Sequence, residues 1–235
     1  MARSDLPAKA SNDQVQDFLR KVAMTPVLKT SEEKGRLIFA LDATASREPT
    51  WDRASHLQAD MFQEPASLGG LEIQLAFYRG FGEFKATKWA ADQDTLMRQM
   101  TGVYCLAGET QLRKVLRHAV VETKKRKVDA LVFIGDCIEE DVDKLGAVAG
   151  ELGILGTPAF LFQEGGDPVA EFAFRQIAKL TNGAYCPFDS VSAQTLRELL
   201  RAVAVFAAGG RKALENLANN EGGAFRQIAH QVKRG

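Results

Sequence analysis

The sequence predicts an α/β protein: a doubly wound, mostly parallel sheet with one antiparallel edge strand and helices on both faces. Three observations carry that prediction. Short, uninterrupted apolar runs recur along the chain, the pattern of strands buried on both faces. Amphipathic stretches of helical period separate them, so strands and helices alternate. And 235 residues, 46% hydrophobic and 26% charged, can cover such a sheet without disulfides or structural metals as staples.

The elements follow in order. Val15, Phe18, Leu19 and Val22 share one helical face, with Asn12 or Asp13 as cap and Pro26 as stop. This helix and the polar stretch Thr30 to Lys34 read as peripheral, so residues 1–34 form an N-terminal helical extension and linker. Arg36 to Leu41 is the first buried strand. A polar loop, Asp42 to Asp52, and a helix from about Arg53 to Gln63 come next. Leu71 to Tyr78 is the second strand. Gly80-Phe81-Gly82 turns the chain, and Glu83 to Trp89 returns as its antiparallel neighbour. Asp92 to Met100 is a short helix with an acidic start. Thr110 to Lys125 is strongly amphipathic, with Leu112, Val115, Leu116, Ala119 and Val120 on one stripe. Val128 to Ile134 is a strand, followed by Gly135-Asp136 and an acidic helix start at Glu139-Glu140-Asp141. Pro158 to Phe162 is a strand, and a helix runs from about Asp167 to Thr181. Gly183 to Phe188 is the last strand. A long helix from about Ser192 carries Leu196, Leu199, Leu200 and Val203 in register. Residues 35–208 thus form the main domain. Residues 209–235 form a helical tail in which Ala213, Leu214 and Leu217 keep helical spacing. The end of that tail reads either as a docking peptide or as frayed chain.

Composition narrows the function. Thirty Lys and Arg balance thirty Asp and Glu. Proteins that grip nucleic acid or anionic membrane through a global field carry a basic excess, so neither is an expected partner. The first ten residues lack the apolar stretch of a secretory signal. The greasiest segment, near Leu199 to Ala208, is too short to span a bilayer. Cys105, Cys137 and Cys186 have neither zinc spacing nor an even count for disulfides. A cytoplasmic location is the expectation. No glycine-rich phosphate loop follows any strand. Lys124 to Lys127 sit at a helix C-terminus, where cations offset the dipole. The histidines, His56, His118 and His230, do not cluster.

In a doubly wound sheet, ligands bind beyond the carboxyl ends of the strands, where strand order reverses. Asp42-Ala-Thr44-Ala-Ser46 follows the first strand, Gly108-Glu109-Thr110 precedes the amphipathic helix, and Asp136 follows the strand ending at Ile134. Each alone is an ordinary cap or turn residue. Together at one edge they offer two carboxylates and three hydroxyls.

This constellation resembles the metal-ion-dependent adhesion site of von Willebrand factor A (VWA) domains, whose signature is DxSxS, then a distant Thr, then a distant Asp. The run Leu37 to Ser46, Thr110, and Phe133 to Asp136 carry the likeness, and the segment Ile177 to Asp189 resembles that family's closing helix and strand. Thr44 replaces the first Ser of the signature, which keeps the hydroxyl and narrows the site. Glu109 adds a nearby carboxylate that competes with a partner for the metal. The resemblance implies a Mg2+ or Mn2+ ion, both of which suit oxygen ligands. It implies direct ligation by Thr44, Ser46 and, in some states, Thr110, with Asp42 and Asp136 acting through water. Uncharged hydroxyls leave the ion electrophilic toward one more ligand, which in the family is commonly a carboxylate of a partner protein. Binding rather than turnover is the implied function, with an ATPase or chaperone-like assembly as the implied setting. Arg47 and Trp51, beside the motif, are candidate partner contacts, since both residue types are enriched at binding hot spots; Trp51 equally suits a staple for the following helix. Glu139 to Asp141 suit either a helix start or a second cation site, and Cys137 a small buried residue. The alternative function is a Mg2+-dependent phosphatase-like hydrolase with Asp42 as nucleophile, although Thr44 stands where such enzymes carry a second carboxylate.

Overall fold

The computed structural model describes residues 11–25, 34–47, 70–188 and 193–220. The polar linker after Pro26, Trp51, the helix expected near Arg53 and the end of the tail lie outside the described residues. The elements are α1 (Asn12–Met24), β1 (Gly35–Asp42), a 3-10 turn (Ala45–Arg47), β2 (Leu71–Arg79), β3 (Glu83–Ala86), α2 (Gln93–Thr101), α3 (Leu112–Lys125), β4 (Ala130–Gly135), α4 (Val142–Ile154), β5 (Ala159–Glu164), α5 (Pro168–Leu180), β6 (Ala184–Phe188) and α6 (Ala193–Asn220).

The six strands form one sheet in the order β3-β2-β1-β4-β5-β6. All neighbours are parallel except β3, which returns antiparallel to β2 with Tyr78 opposite Phe84. The expected fold class is therefore the observed one. Strand order reverses between β1 and β4, whose register runs from Leu37 opposite Ala130 to Leu41 opposite Ile134.

Alternation along the strands feeds two cores. Leu37, Phe39 and Leu41 join Phe18 and Val22 of α1, Leu96 of α2, and Leu199 and Val203 of α6. Ile38 and Ala40 join Val115 and Leu116 of α3, Leu145 of α4 and Phe174 of α5. Helices thus cover both faces, as right-handed crossovers require.

Three local expectations are corrected. First, α1 is capped by Ser11 rather than Asn12 or Asp13. The Ser11 hydroxyl accepts from the Gln14 N–H at 3.2 Å, and the Gln14 side chain accepts from the Ser11 N–H at 2.7 Å, a reciprocal box. The helix is also no peripheral appendage: the Phe18 ring is buried 5.0 Å from that of Phe162 and 6.0 Å from that of Phe160. Second, α3 starts at Leu112, and neither Thr110 nor Gln111 supplies a side-chain cap. The carboxylate of Glu140 accepts from the Leu112 N–H and, at 3.0 Å, from the Arg113 N–H. Third, Asp141 alone of the Glu139 to Asp141 trio caps the next helix, accepting from Asp143 and Lys144 N–H groups. The basic run ends α3 as expected, and each member is engaged. Lys124 pairs with Glu151, Lys125 with Glu122 and Arg126 with Glu72, while Lys127 donates to the Leu155 carbonyl at 2.9 Å. Finally, α6 bends at Gly210, whose φ of 67° no side-chain-bearing residue adopts comfortably.

Candidate metal centre

β1 and β4 end side by side where the strand order reverses. Asp42 closes β1, Gly135 closes β4, and Asp136 is the next residue. A Cβ placed on Gly135 would lie 3.7 Å from the Asp42 Cβ, so the two acidic positions are near neighbours.

Asp42 is fully buried. Its Oδ1 accepts the Thr44 N–H at 2.8 Å, an Asx-type turn that folds residues 42–44 over the sheet end. Its Oδ2 accepts the Tyr78 hydroxyl at 2.9 Å, because β1–β2 register sets Tyr78 directly opposite. Burial pushes the Asp42 carboxyl above its ordinary range; the Thr44 bonds oppose that shift and the Asp136 charge adds to it. Burial also drives the Tyr78 phenol well up, with the Asp42 charge next, so Tyr78 stays a neutral donor. No described Lys or Arg forms an ion pair with Asp42. A buried carboxylate in that position favours a cation close by.

The Thr44 and Ser46 hydroxyls are hydrogen-bonded to each other, with their oxygens 3.1 Å apart. Adjacent ligands on an octahedral ion with bonds of about 2.1 Å are about 3.0 Å apart. The hydrogen-bonded pair is thus also compatible with the spacing of one edge of a Mg2+ coordination shell. Thr44 is buried and Ser46 exposed, so the open side of the site is the Ser46 side.

The loop that carries Thr110 is pinned to this edge. The Leu106 N–H donates to the Ala43 carbonyl at 3.0 Å, which sets Leu106 beside Thr44. The Glu109 N–H donates to the Gly80 carbonyl at 3.3 Å. A Cβ on Gly108 would stand 2.1 Å from that same carbonyl oxygen, so only glycine passes there. Thr110 is clasped by Glu139: the Thr110 N–H donates to the Glu139 carboxylate at 3.0 Å, and the Glu139 N–H donates to the Thr110 hydroxyl at 2.9 Å. The clasp ties the Thr110 loop to the loop bearing Asp136. Asp136 is half-buried and accepts the Cys137 N–H at 2.9 Å. Burial, then the Asp136 and Asp42 charges, push the Cys137 thiol up to about 12, so it remains a neutral thiol.

Asp42, Thr44 and Ser46 share one loop, Asp136 adjoins Asp42, and Thr110 is linked through Glu139. Among the described residues no three His, Cys, Asp or Glu side chains gather as metal ligands; the donor set leans on hydroxyls. Such hard oxygens suit Mg2+ or Mn2+. Glu109 is exposed on its loop, and Arg47 ends the 3-10 turn after the motif. The sequence places Tyr78 only at a strand end and Glu139 and Glu140 only at a helix start or second cation site, not as the partners of Asp42, Thr110 and the first α3 amides. An aromatic hydroxyl at the end of an apolar strand is a faint signal for Tyr78; nothing local marks the two glutamates. His118 is no part of the site. Its imidazole lies 2.8 Å from the Gln74 side-chain oxygen, and burial holds its pKa below the ordinary value. A groove of about 540 Å3 lined by Lys21, Arg175, Lys179 and Tyr185 lies elsewhere, beside the start of β6.

A six-stranded sheet of this order, with its oxygen-rich loops where the order reverses, is the von Willebrand factor A fold. Solved structures agree. The VWA domain of SpRpn10 superposes with a TM-score of 0.58 at 12% identity, over 72% of this chain and 94% of that one. The von Willebrand factor type A structure from Catenulispora acidiphila gives 0.59 at 14%, over 73% of this chain and 43% of that one. The manganese-loaded TRAP protein of Plasmodium vivax gives 0.53 at 15%, over 73% and 75%. At these identities the likeness is one of fold. No protein-family profile matches the sequence, and no curated protein matches it. No helix among the described residues is long and apolar enough to cross a membrane.

Proposed function

We propose that the chain is a divalent-metal-dependent protein-interaction module that captures an acidic side chain of a partner protein. The observation that carries this reading is Asp42, a buried carboxylate without an ion pair among the described residues, directly beside the 3.1 Å hydroxyl pair of Thr44 and Ser46. Thr44, Ser46 and Thr110 would hold Mg2+ or Mn2+, with Asp42 and Asp136 behind them. When bound, the ion supplies an electrophilic position for a carboxylate. The chain's own residues do the rest. Thr44 N–H and Tyr78 fix the Asp42 carboxylate, and Glu139 fixes Thr110. The uncharged hydroxyls leave the ion's charge largely unquenched. VWA structures that share the fold support an interaction role, and one of them is manganese-loaded. The implied partner belongs to an ATPase or chaperone-like assembly in the cytoplasm.

The hydrolase alternative fares worse. A nucleophilic carboxylate must reach its substrate, whereas Asp42 is fully buried with both oxygens engaged. Calorimetric titration of the full chain with Mn2+ tests the main reading. One ion per chain is expected to bind wild type, and none to bind Asp42→Ala of unchanged circular dichroism. A wild-type chain that binds neither Mn2+ nor Mg2+ at millimolar concentration would sink it.

A further inference from the structure

Three large apolar side chains stand in the open on the loops that adjoin the motif loop: Phe81 at 82% exposure, Tyr104 at 59% and Leu106 at 39%. Leu106 pairs with Thr44 across the loop, and Tyr104 lies two residues before it. Phe81 tips the β2–β3 turn, whose Gly80 backbone packs on Gly108. Tyr104 is held in advance. The Arg79 guanidinium lies 4.0 Å from its ring centre and donates to its carbonyl at 3.0 Å. Arg79 is itself fixed by two bonds to Glu83, at 3.0 and 3.1 Å. An exposed aromatic ring that is already ordered loses little freedom on binding, and Tyr is among the commonest binding hot spots.

Charge narrows the occupant further. Glu109 and Glu139 are both exposed on the loops around Thr110. A run of acids would meet repulsion there, while a lone acid with apolar neighbours would meet the rim it matches. We infer that the partner presents a single carboxylate flanked by an aromatic or aliphatic side chain, and that Tyr104, with Leu106 and Phe81, is the platform on which that neighbour seats. The inference rests on the metal-dependent reading above and adds what recognises the partner beyond its acid.

The test is panning of the immobilised full chain with a phage-displayed library of random linear peptides, in Mn2+ and in chelator. A calorimetric Mn2+ titration of the same protein runs alongside. The expected result is Mn2+-dependent enrichment of peptides with one Asp or Glu and an apolar residue at a fixed offset. A synthetic enriched peptide should bind Tyr104→Ala about tenfold or more weakly, and Tyr104→Phe as it binds wild type, with Mn2+ affinity unchanged in both. Enriched peptides without an apolar preference, peptides with runs of acids, or undiminished binding to Tyr104→Ala would overturn the platform and leave the metal reading standing. Mn2+ uptake with no enriched peptide would do the same. Absence of Mn2+ uptake by wild type would remove the metal reading, and the platform with it.

Discussion

Asp42 holds its carboxylate out of bulk solvent, and its two hydrogen bonds replace only part of the lost hydration. Burial raises its pKa, so near neutral pH the ionised form costs folding free energy in the absence of a cation. Asn at this position keeps the acceptor for Thr44 N–H, and its amide can donate to the Tyr78 oxygen. Asp42→Asn is therefore expected to raise metal-free stability by about 0.5–2 kcal/mol, the range of single stabilising substitutions, while abolishing any Mn2+-induced rise in Tm. Thermal unfolding in chelator and in Mn2+ reads both effects. A variant less stable than wild type in chelator would mean that the buried charge is not the burden argued here. The grouping of Asp42, Thr44 and Ser46 was legible in the sequence because all three lie on one loop. The Tyr78 bond was not, because strand register decides it. The Thr110–Glu139 clasp was not, because it joins loops on either side of a helix and a strand.

Elements show the same division. Strands β1, β4, β5 and β6 were legible as short apolar runs, and β2 as an apolar run broken only by Glu72 and Gln74; burial on both faces leaves few other readings. Helix starts were less so. α3 takes its cap from Glu140, a residue on a later loop that no local pattern links to it. α1 was misjudged for a related reason: its apolar stripe was visible, but what covers that stripe is a matter of tertiary packing. Phe18 sits with no exposure between the rings of Phe160 and Phe162 and the body of α6. Phe18→Ala is expected to cost about 3–5 kcal/mol, as deletion of a core phenylalanine does. Urea unfolding measures it. A loss below about 1 kcal/mol would return α1 to the periphery.

The whole molecule places its chemistry through topology. Apolar runs and helical stripes establish that the protein is α/β, but they do not order the strands. The order β3-β2-β1-β4-β5-β6 brings Asp42 beside Asp136, although a long stretch of chain separates them. The balanced charge of the sequence is also distributed: the basic run at the end of α3 is tied down by Glu151, Glu122 and Glu72, far from the hydroxyl-rich edge. One feature of α6 bears on how the molecule opens. Before Gly210 the helix is buried through Ala202 to Ala208, and the Gly35 backbone lies so near the Ala207 carbonyl that a Cβ there would stand 2.2 Å away. At Gly210 the backbone leaves helical geometry and the helix kinks. A solvent proton therefore meets two populations of amide along one helix. Deuterium should enter residues 211–220 through local fraying within the first time points, and residues 199–209 only when the whole domain opens. A single exchange rate along the length of α6 would show that the bend transmits protection rather than ending it.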